Sequence, residues 1–321
     1  MASPLTRNAI EEAYSRIFKL IHRTPVLTST SIDGIIGSGK QLFFKCENFQ
    51  KTGSFKSRGA LNAILKAKEH GEVKGVITQS SGNHGQALAW AANKIGVPCI
   101  VVVPINAPIP KVEAIAAYGA QIERCEATMT ARLETCERIA NETGYLSIDP
   151  HNDYDVMEGQ GTIAKEFLEQ VPDLDALFIA VGGGGMIGGI SKYISEVNPK
   201  IKVFCVEPEG KEIQKSFEAG KRLWESGALL NTIADGVRVL RVGDKCFPVL
   251  QECCQKRVFS VNDEEISKAM FITMQRLKVV IEPSAAVCLA AVLKYRDELK
   301  EFQKIGIVLC GGNVDLNKMP F

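Results

Sequence analysis

Residues 176–189 read ALFIAVGGGGMIGG, in which six apolar residues are followed directly by four glycines. A continuous apolar run is typical of a parallel β-strand that helices cover on both faces. The glycines leave their backbone amides uncovered, and a helix that begins near Met186 would point its N-terminus at the same place. Such an arrangement binds phosphate, so we expect an α/β fold with a phosphate-binding loop after this strand. The loop residues are Gly182, Gly183, Gly184 and Gly185.

Further strands and helices alternate on both sides of this stretch. Short β-branched or aromatic runs predict strands at residues 42–47, 75–78, 99–104, 121–125, 146–148, 202–206 and 305–310. The patterns between them predict helices at residues 57–70, 85–95, 131–143, 162–170 and 283–298. This alternation is typical of doubly wound sheets, whose ligands bind beyond the carboxyl ends of the strands. We expect a small domain at residues 71–149 and a discontinuous large domain at residues 1–70 and 150–321.

Composition and charge exclude several classes of protein. The chain has 321 residues, with 38 Lys and Arg residues against 37 Asp and Glu residues and a net charge of +1. A nearly neutral chain has no general attraction for nucleic acid or anionic membranes, and its most apolar stretch, residues 176–190, is too short to cross a bilayer. The N-terminus shows no secretory signal, and the ten cysteines form neither a CxxC pair nor a zinc-site pattern. We expect a cytoplasmic protein with reduced thiols and no nucleic-acid or membrane partner.

A second motif, KTGSFKSRG at residues 51–59, follows the strand predicted at 42–47 and opens a helix. Lys56 would stand near the N-terminus of that helix, where the helix dipole disfavours a positive charge. The dipole and partial burial both lower the pKa of a lysine and favour a neutral, nucleophilic amine. The alternative is a solvated surface lysine, which is the usual environment of this residue.

Two further motifs also follow predicted strands. Residues 80–85 read SSGNHG, a turn whose side chains and amides can bind a carboxylate or can simply cap a helix. Residues 309–315 read LCGGNVD and close the last strand, either as the wall of a site or as a glycine-rich turn. A reactive lysine, a phosphate-binding loop and an anion-binding turn together indicate a phosphorylated aldehyde cofactor that holds an amino acid.

With these motifs the chain resembles the fold-type II enzymes that use pyridoxal 5'-phosphate (PLP), in the serine/threonine dehydratase family. The resemblance runs from TPVLT at residues 24–28 to GGNVDL at residues 311–316. It implies a tryptophan synthase β-like fold with two open, twisted, mostly parallel sheets and flanking helices. The sequence is most similar to the serine-racemising members. It therefore implies conversion of L-serine to D-serine, accompanied by elimination of serine or threonine to a 2-oxo acid and ammonia.

The resemblance also implies roles for individual residues. Lys56 would hold PLP as a Schiff base, Phe55 would support the cofactor ring, and Asn83 would bind the ring 3-hydroxyl. Cys310 would face the ring nitrogen, and Met186 would join the four glycines around the phosphate. Ser81 would be the second proton-transfer group, opposite Lys56. The residues implied around the substrate carboxylate are Ser80, Ser81, Gly82, Asn83 and His84.

Members that racemise serine also bind activators, which the resemblance extends to this chain. Glu207 and Glu212 would hold Mg²⁺, Mn²⁺ or Ca²⁺, although the loop between them is one residue shorter than in the family. The alternative is a pair of solvated glutamates. ATP would bind at the interface of a homodimer, where the lysines involved can equally be ordinary surface charges. The matching ATP positions are Ser29, Thr30, Lys51, Thr52, Lys111, Tyr118 and Asn313.

Three other functions remain open at this stage. Cys310 stands where serine-racemising members have serine, which favours a dedicated L-threonine or L-serine dehydratase, whereas Ser81 favours racemisation. An aspartate racemase shares most of the pattern, but residues 149–154, DPHNDY, lack the serine cluster associated with that specificity. A ligand-binding pseudoenzyme would keep the fold without the chemistry, and the presence of Lys56 disfavours it.

Overall fold

The structure is a computed structural model that describes residues 4–37, 39–223 and 230–321. Its helices are α1 (Arg7–Ile17), α2 (Thr30–Ile36), α3 (Lys56–His70), α4 (Asn83–Ile95), α5 (Ile109–Ala117), α6 (Met129–Thr143), α7 (Tyr154–Gln170), α8 (Gly185–Val197), α9 (Ile213–Ala219), α10 (Cys246–Cys253), α11 (Asp263–Leu277) and α12 (Pro283–Lys294). Its strands are β1 (Val26–Leu27), β2 (Gln41–Lys45), β3 (Val76–Gln79), β4 (Cys99–Pro104), β5 (Gln121–Cys125), β6 (Leu146–Ser147), β7 (Ala176–Ala180), β8 (Lys202–Pro208), β9 (Phe259–Val261) and β10 (Lys304–Val308).

The strands form two sheets with helices between and around them. The larger has six strands in the order β1-β2-β10-β7-β8-β9, and the smaller has four in the order β5-β4-β3-β6. Every pairing is parallel except that of β1 with β2. The predicted α/β class with two mostly parallel sheets is confirmed. The four strands of the smaller sheet lie within residues 71–149, and the domain boundaries themselves remain a prediction.

The central strand β7 explains why the sequence around it is so apolar. All five of its residues are buried, and it pairs with β10 on one side and β8 on the other. A strand in that position faces helices on both surfaces, so alternation with polar residues would bury unpaired groups. Its carboxyl end leads straight into the glycine loop and α8, as predicted.

Close packing of three helices fixes the position of the elements that carry the site. A Cβ atom on Gly159 of α7 would lie 2.6 Å from the carbonyl oxygen of Arg58 in α3. A Cβ atom on Gly189 of α8 would lie 2.1 Å from the carbonyl oxygen of Met157 in α7. These glycines let the helix backbones touch. They also explain why α7 starts at Tyr154 rather than at residue 162, because its glycines are packing positions and not a break.

A buried cluster of charges anchors the start of α3. The Arg58 guanidinium lies 2.8 Å from carboxylates of both Glu47 and Glu166, and Lys45 Nζ lies 2.7 Å from Glu166. All four side chains are buried, so each charge needs the others to offset its loss of hydration. The cluster therefore holds the first turn of α3, which begins with Lys56, in one place.

Among the described helices, none is long and apolar enough to cross a membrane.

Candidate active site

Three of the four sequence motifs meet where strands end. An isolated bridge joins Ser54 to Gly311, and the Phe55 amide donates to the Cys310 carbonyl at 3.1 Å. The Asn313 side-chain amide donates to the Thr52 carbonyl at 2.8 Å and to Asn83 Oδ1 at 2.9 Å. These contacts connect the lysine motif, the serine-rich turn and the last strand, which are far apart in the sequence.

Lys56 begins α3 and is partly buried, with its ammonium near the site's other ionisable groups. Nζ donates to the Pro150 carbonyl at 2.6 Å and lies 5.1 Å from the centre of the Phe55 ring. Burial lowers the pKa of Lys56 to about 8, against the opposing effects of Asp149, Cys246, Cys310 and Glu282. A lysine of this kind has a substantial neutral fraction near neutral pH and can attack an aldehyde or accept a proton.

The glycine loop has the geometry of an anion site. Gly184 has φ of +96° and caps α8, so the first amides of that helix have no acceptors within the helix. A Cβ atom on Gly183 would lie 2.0 Å from Cδ2 of His151, and one on Gly184 would lie 2.9 Å from Cβ of Cys246. Only glycine fits at these positions, and the backbone amides at the N-terminus of α8 suit the phosphate of PLP. Met186 is buried in the first turn of α8.

The serine-rich turn leads into α4, as the motif predicts. Ser80 Oγ accepts a hydrogen bond from the Gly82 amide at 3.3 Å, and Ser81 is half-buried beside it. Asn83 is the first residue of α4, so this turn presents helix N-terminal amides. The turn is therefore suited to a carboxylate, but its roles toward substrate remain a prediction.

His84 has a different environment from its neighbours. Its ring is buried, and Nε2 lies 3.2 Å from the carbonyl oxygen of Ile148. Burial lowers the pKa of His84 to about 3, so the ring is neutral. Its Nδ1 is buried and has no hydrogen-bond partner among the described residues. Its backbone amide lies near the start of α4.

Glu282 belongs to the site although sequence reasoning missed it. Both of its carboxylate oxygens accept from the Asn83 side-chain amide, at 2.9 and 3.0 Å, and the Asn313 amide lies 3.3 Å away. Burial and then the charge of Asp235 raise the pKa of Glu282 to about 7. The available signal was a lone glutamate directly before Pro283, at the start of an otherwise apolar helix.

Cys310 is buried at the end of the last strand, within electrostatic range of Lys56 and Glu282. Burial raises the pKa of its thiol well above the ordinary value. The thiol is therefore neutral, as expected of a weak partner for the ring nitrogen of PLP. Its contact with the ring remains a prediction.

Asp149 and His151 form the part of the site between the sheets, and sequence reasoning missed both. Asp149 Oδ1 accepts from the amides of His151 at 2.9 Å and Asn152 at 2.6 Å. Burial opposes ionisation, but His151 and these two donors lower the pKa of Asp149 below its ordinary value. Next to the glycine loop, the chain therefore places an imidazole and an ionised carboxylate.

The predicted metal pair is not assembled. Glu207 is buried, and its two oxygens accept from the Ile213 amide at 2.9 Å and from Ser260 Oγ at 3.0 Å. The Glu212 side chain is 54% exposed and pairs with Lys215 at 2.6 Å. In the part of the chain that the structure describes, no group of three or more His, Cys, Asp or Glu side chains is arranged to hold a metal ion. These residues do not fit the expected divalent ion, because Glu207 is engaged by Ile213 and Ser260 while the Glu212 side chain faces solvent.

The predicted ATP residues lie in three places. Ser29 caps α2, which begins with Thr30. Lys51 and Thr52 lie in a short turn beside the site, and Thr52 contacts Asn313. On the small sheet's side, Lys111 in α5 pairs with Asp235 at 2.5 Å, and Tyr118 ends that helix. The structure joins Thr52 with Asn313, and the ATP-binding roles of all these residues remain a prediction.

A lysine of lowered pKa beside a glycine loop and a neutral thiol defines a class of enzyme that binds a phosphorylated aldehyde and acts on amino acids. The comparison with known families agrees with this class. The chain belongs to the pyridoxal-phosphate dependent enzyme family, whose model matches residues 17–311. The described residues fit PLP: Lys56 would bind its aldehyde, and the loop of Gly182–Gly185 would bind its phosphate.

Individual relatives differ in their reactions. The chain is 45% identical to a serine racemase of Dictyostelium discoideum over 98% of this chain and 97% of that one. It is 41% identical to an L-threo-3-hydroxyaspartate ammonia-lyase of Saccharomyces cerevisiae, over 98% of this chain and 94% of the relative. A solved PLP-dependent aspartate racemase is 47% identical with a TM-score of 0.97, covering 100% of this chain and 99% of that structure.

Proposed function

We propose that this protein converts L-serine into D-serine and also eliminates the β-hydroxyl of serine or threonine, which gives a 2-oxo acid and ammonia. The observation that carries the proposal is the environment of Lys56. Its amine has a pKa of about 8 and lies within electrostatic range of Cys310 and Asp149. It also bonds to Pro150, whose neighbour His151 packs against Gly183 of the glycine loop. Similarity to a serine racemase and to an ammonia-lyase supports the two outcomes.

The chain's own groups supply the proton transfers. Bound PLP withdraws electrons from the substrate's α carbon and so makes the α proton acidic. The neutral amine of Lys56 removes that proton from one face. Racemisation then requires a donor on the opposite face, the role proposed for Ser81. Elimination requires only Lys56, because the proton that Lys56 has taken can pass to the β-hydroxyl, which leaves as water before any proton returns to the α carbon.

Charge near the site favours a substrate with a neutral side chain. Asp149 acts on the charge of Lys56 and is held ionised by His151 and two backbone amides. A second carboxylate on the substrate would be repelled by Asp149, whereas a hydroxymethyl group would not. We therefore place serine ahead of aspartate. The close likeness to an aspartate racemase makes aspartate the second candidate.

Ser81→Ala tests the proposal most directly. Each enantiomer of serine, threonine and aspartate is incubated with the enzyme, and the opposite enantiomer and the 2-oxo acid are measured together. In the variant we expect loss of D-serine formation from L-serine while pyruvate formation from L-serine persists. Elimination from D-serine should also be lost, because its α proton faces Ser81.

Ser80→Ala is the matched control, since Ser80 is the adjacent serine and bonds to the Gly82 amide. It should change both activities of L-serine by the same factor. Parallel loss of both activities in Ser81→Ala would contradict the two-group mechanism. Wild-type protein that makes pyruvate but no D-serine would instead be a dedicated dehydratase, and exclusive turnover of aspartate would establish the second candidate.

We further propose a cytoplasmic homodimer that ATP activates, with Mg²⁺ acting as the counter-ion of the nucleotide. The ten cysteines are free thiols, in keeping with a reducing compartment. Helix α5 carries Lys111, and apolar residues are exposed at and before its start: Ile109, its first residue, is 67% exposed, and Ile105, in the turn after β4, is 64% exposed. Light scattering would measure the oligomer, and ATP titration would measure activation. A monomer whose rate does not respond to ATP contradicts this part.

A further inference from the structure

Lys211 lies in the loop where the metal ion was expected, between β8 and α9. Its side chain is buried and points inward. Nζ donates to the carbonyl oxygens of Gly182 at 2.7 Å and Val237 at 3.3 Å, and also to that of Val239. The ammonium therefore joins the first residue of the glycine loop to the segment around residues 237–239.

The two joined segments are also in direct contact. A Cβ atom on Gly182 would lie 2.9 Å from the Gly236 carbonyl oxygen and 3.4 Å from Cα of Val237. Several carbonyl oxygens thus converge where the loop packs against this segment. Converging backbone carbonyls repel one another unless a cation or a set of N–H donors lies between them. Lys211 supplies both the charge and the donors.

The number of acceptors favours the charged form of Lys211. Among the residues that the structure describes, three carbonyl oxygens accept from Lys211, which is as many as the N–H donors of an ammonium. A neutral amine would have only two donors and would turn its lone pair toward an oxygen. The charge also acts on His151, whose ring packs against Gly183.

We propose that the Lys211 ammonium takes the place of the bound cation in this chain and holds the glycine loop in the shape that binds the cofactor phosphate. By bonding the Gly182 carbonyl from behind, it leaves the amides at the start of α8 directed at the phosphate. Cofactor binding is then independent of metal ions. The inference rests on membership of the PLP family and not on which amino acid is the substrate.

The test measures the dissociation constant of PLP and the melting temperature, without catalysis. In the wild type, chelation followed by Mg²⁺, Ca²⁺ or K⁺ should leave both unchanged. Lys211→Ala leaves buried carbonyls without a donor, so PLP should bind at least about tenfold more weakly. Addition of K⁺, ammonium or Mg²⁺ should restore part of that affinity, because the variant has space for an ion among the carbonyls.

Two further variants separate charge from packing. Lys211→Met keeps most of the side-chain volume without the charge, and it should lose affinity with no restoration by added ions. Lys215→Ala removes an exposed lysine of the same region and should bind PLP as the wild type does. Full affinity in Lys211→Met would overturn the proposal, since volume alone would then suffice. A wild type that loses affinity on chelation and regains it with Mg²⁺ would overturn it without any variant.

Discussion

The reactivity of Lys56 toward the cofactor should depend on pH in a way that the structure fixes. In the experiment, cofactor-free protein is mixed with PLP at a series of pH values. At pH 7 about a tenth of Lys56 side chains with a pKa of about 8 are neutral, against about one in 3,000 for a lysine at the ordinary 10.5. The difference corresponds to a rate advantage of about 300-fold over an unperturbed amine at that pH.

Stopped-flow absorbance measures the covalent link between Lys56 and the cofactor from pH 6 to pH 10. Because PLP titrates in the same range, the rate is divided at each pH by that of N-acetyl-lysine under identical conditions. The ratio should fall steadily above pH 8, since the protein amine is then fully neutral while the reference amine is still losing protons. Lys56→Ala is the blank and should give no band.

Asp149→Asn tests which group sets the pKa of Lys56. The negative charge of Asp149 is the first of the effects that raise the pKa of Lys56, so its removal should move the midpoint below 8. An unchanged midpoint in this variant would show that Asp149 does not act on Lys56. A wild-type ratio that stays constant up to pH 10 would refute the reasoning altogether, because Lys56 would then titrate as an ordinary lysine.

Substitutions at two other positions probe the cofactor's surroundings. Gly183→Ala should weaken PLP binding by at least about tenfold in an equilibrium titration, because its Cβ would lie 2.0 Å from the His151 ring and overpacking displaces the loop. The control is Gly34→Ala, whose Cβ would have no atom within 4 Å, and it should bind PLP normally. Cys310→Ser should keep both activities within about tenfold, as swaps of similar volume usually do. Cys310→Asp should change the cofactor spectrum and the ratio of D-serine to pyruvate, because an adjacent carboxylate favours a protonated ring nitrogen. An aspartate variant with an unaltered spectrum and ratio would mean that Cys310 does not touch the ring.

Local sequence determined most of the elements of this fold. The apolar run of β7 is buried only as a strand that is covered on both faces, and the glycines after it leave their backbone amides free. The structure of this segment therefore follows from its composition and order alone. The eight predicted strands are present within a few residues. The strands that were not predicted, β1 with two residues and β9 with three, are too short for periodicity to reveal. The motifs at Lys56 and at the glycine loop were recognisable because each is contiguous.

What only the tertiary structure decided is how distant residues share one environment. Glu282 accepts a hydrogen bond from Asn83, which is 199 positions away in the sequence. Nothing in the sequence around either residue predicts this contact. Glu207 and Glu212 were expected to form a pair because of the family resemblance, yet the loop's path turns one inward and the other to solvent. No sequence motif singled out Lys211, which lies between them. Its burial depends on carbonyls of Gly182, Val237 and Val239 that only the folded chain brings together, because a charge is buried only where its partners converge.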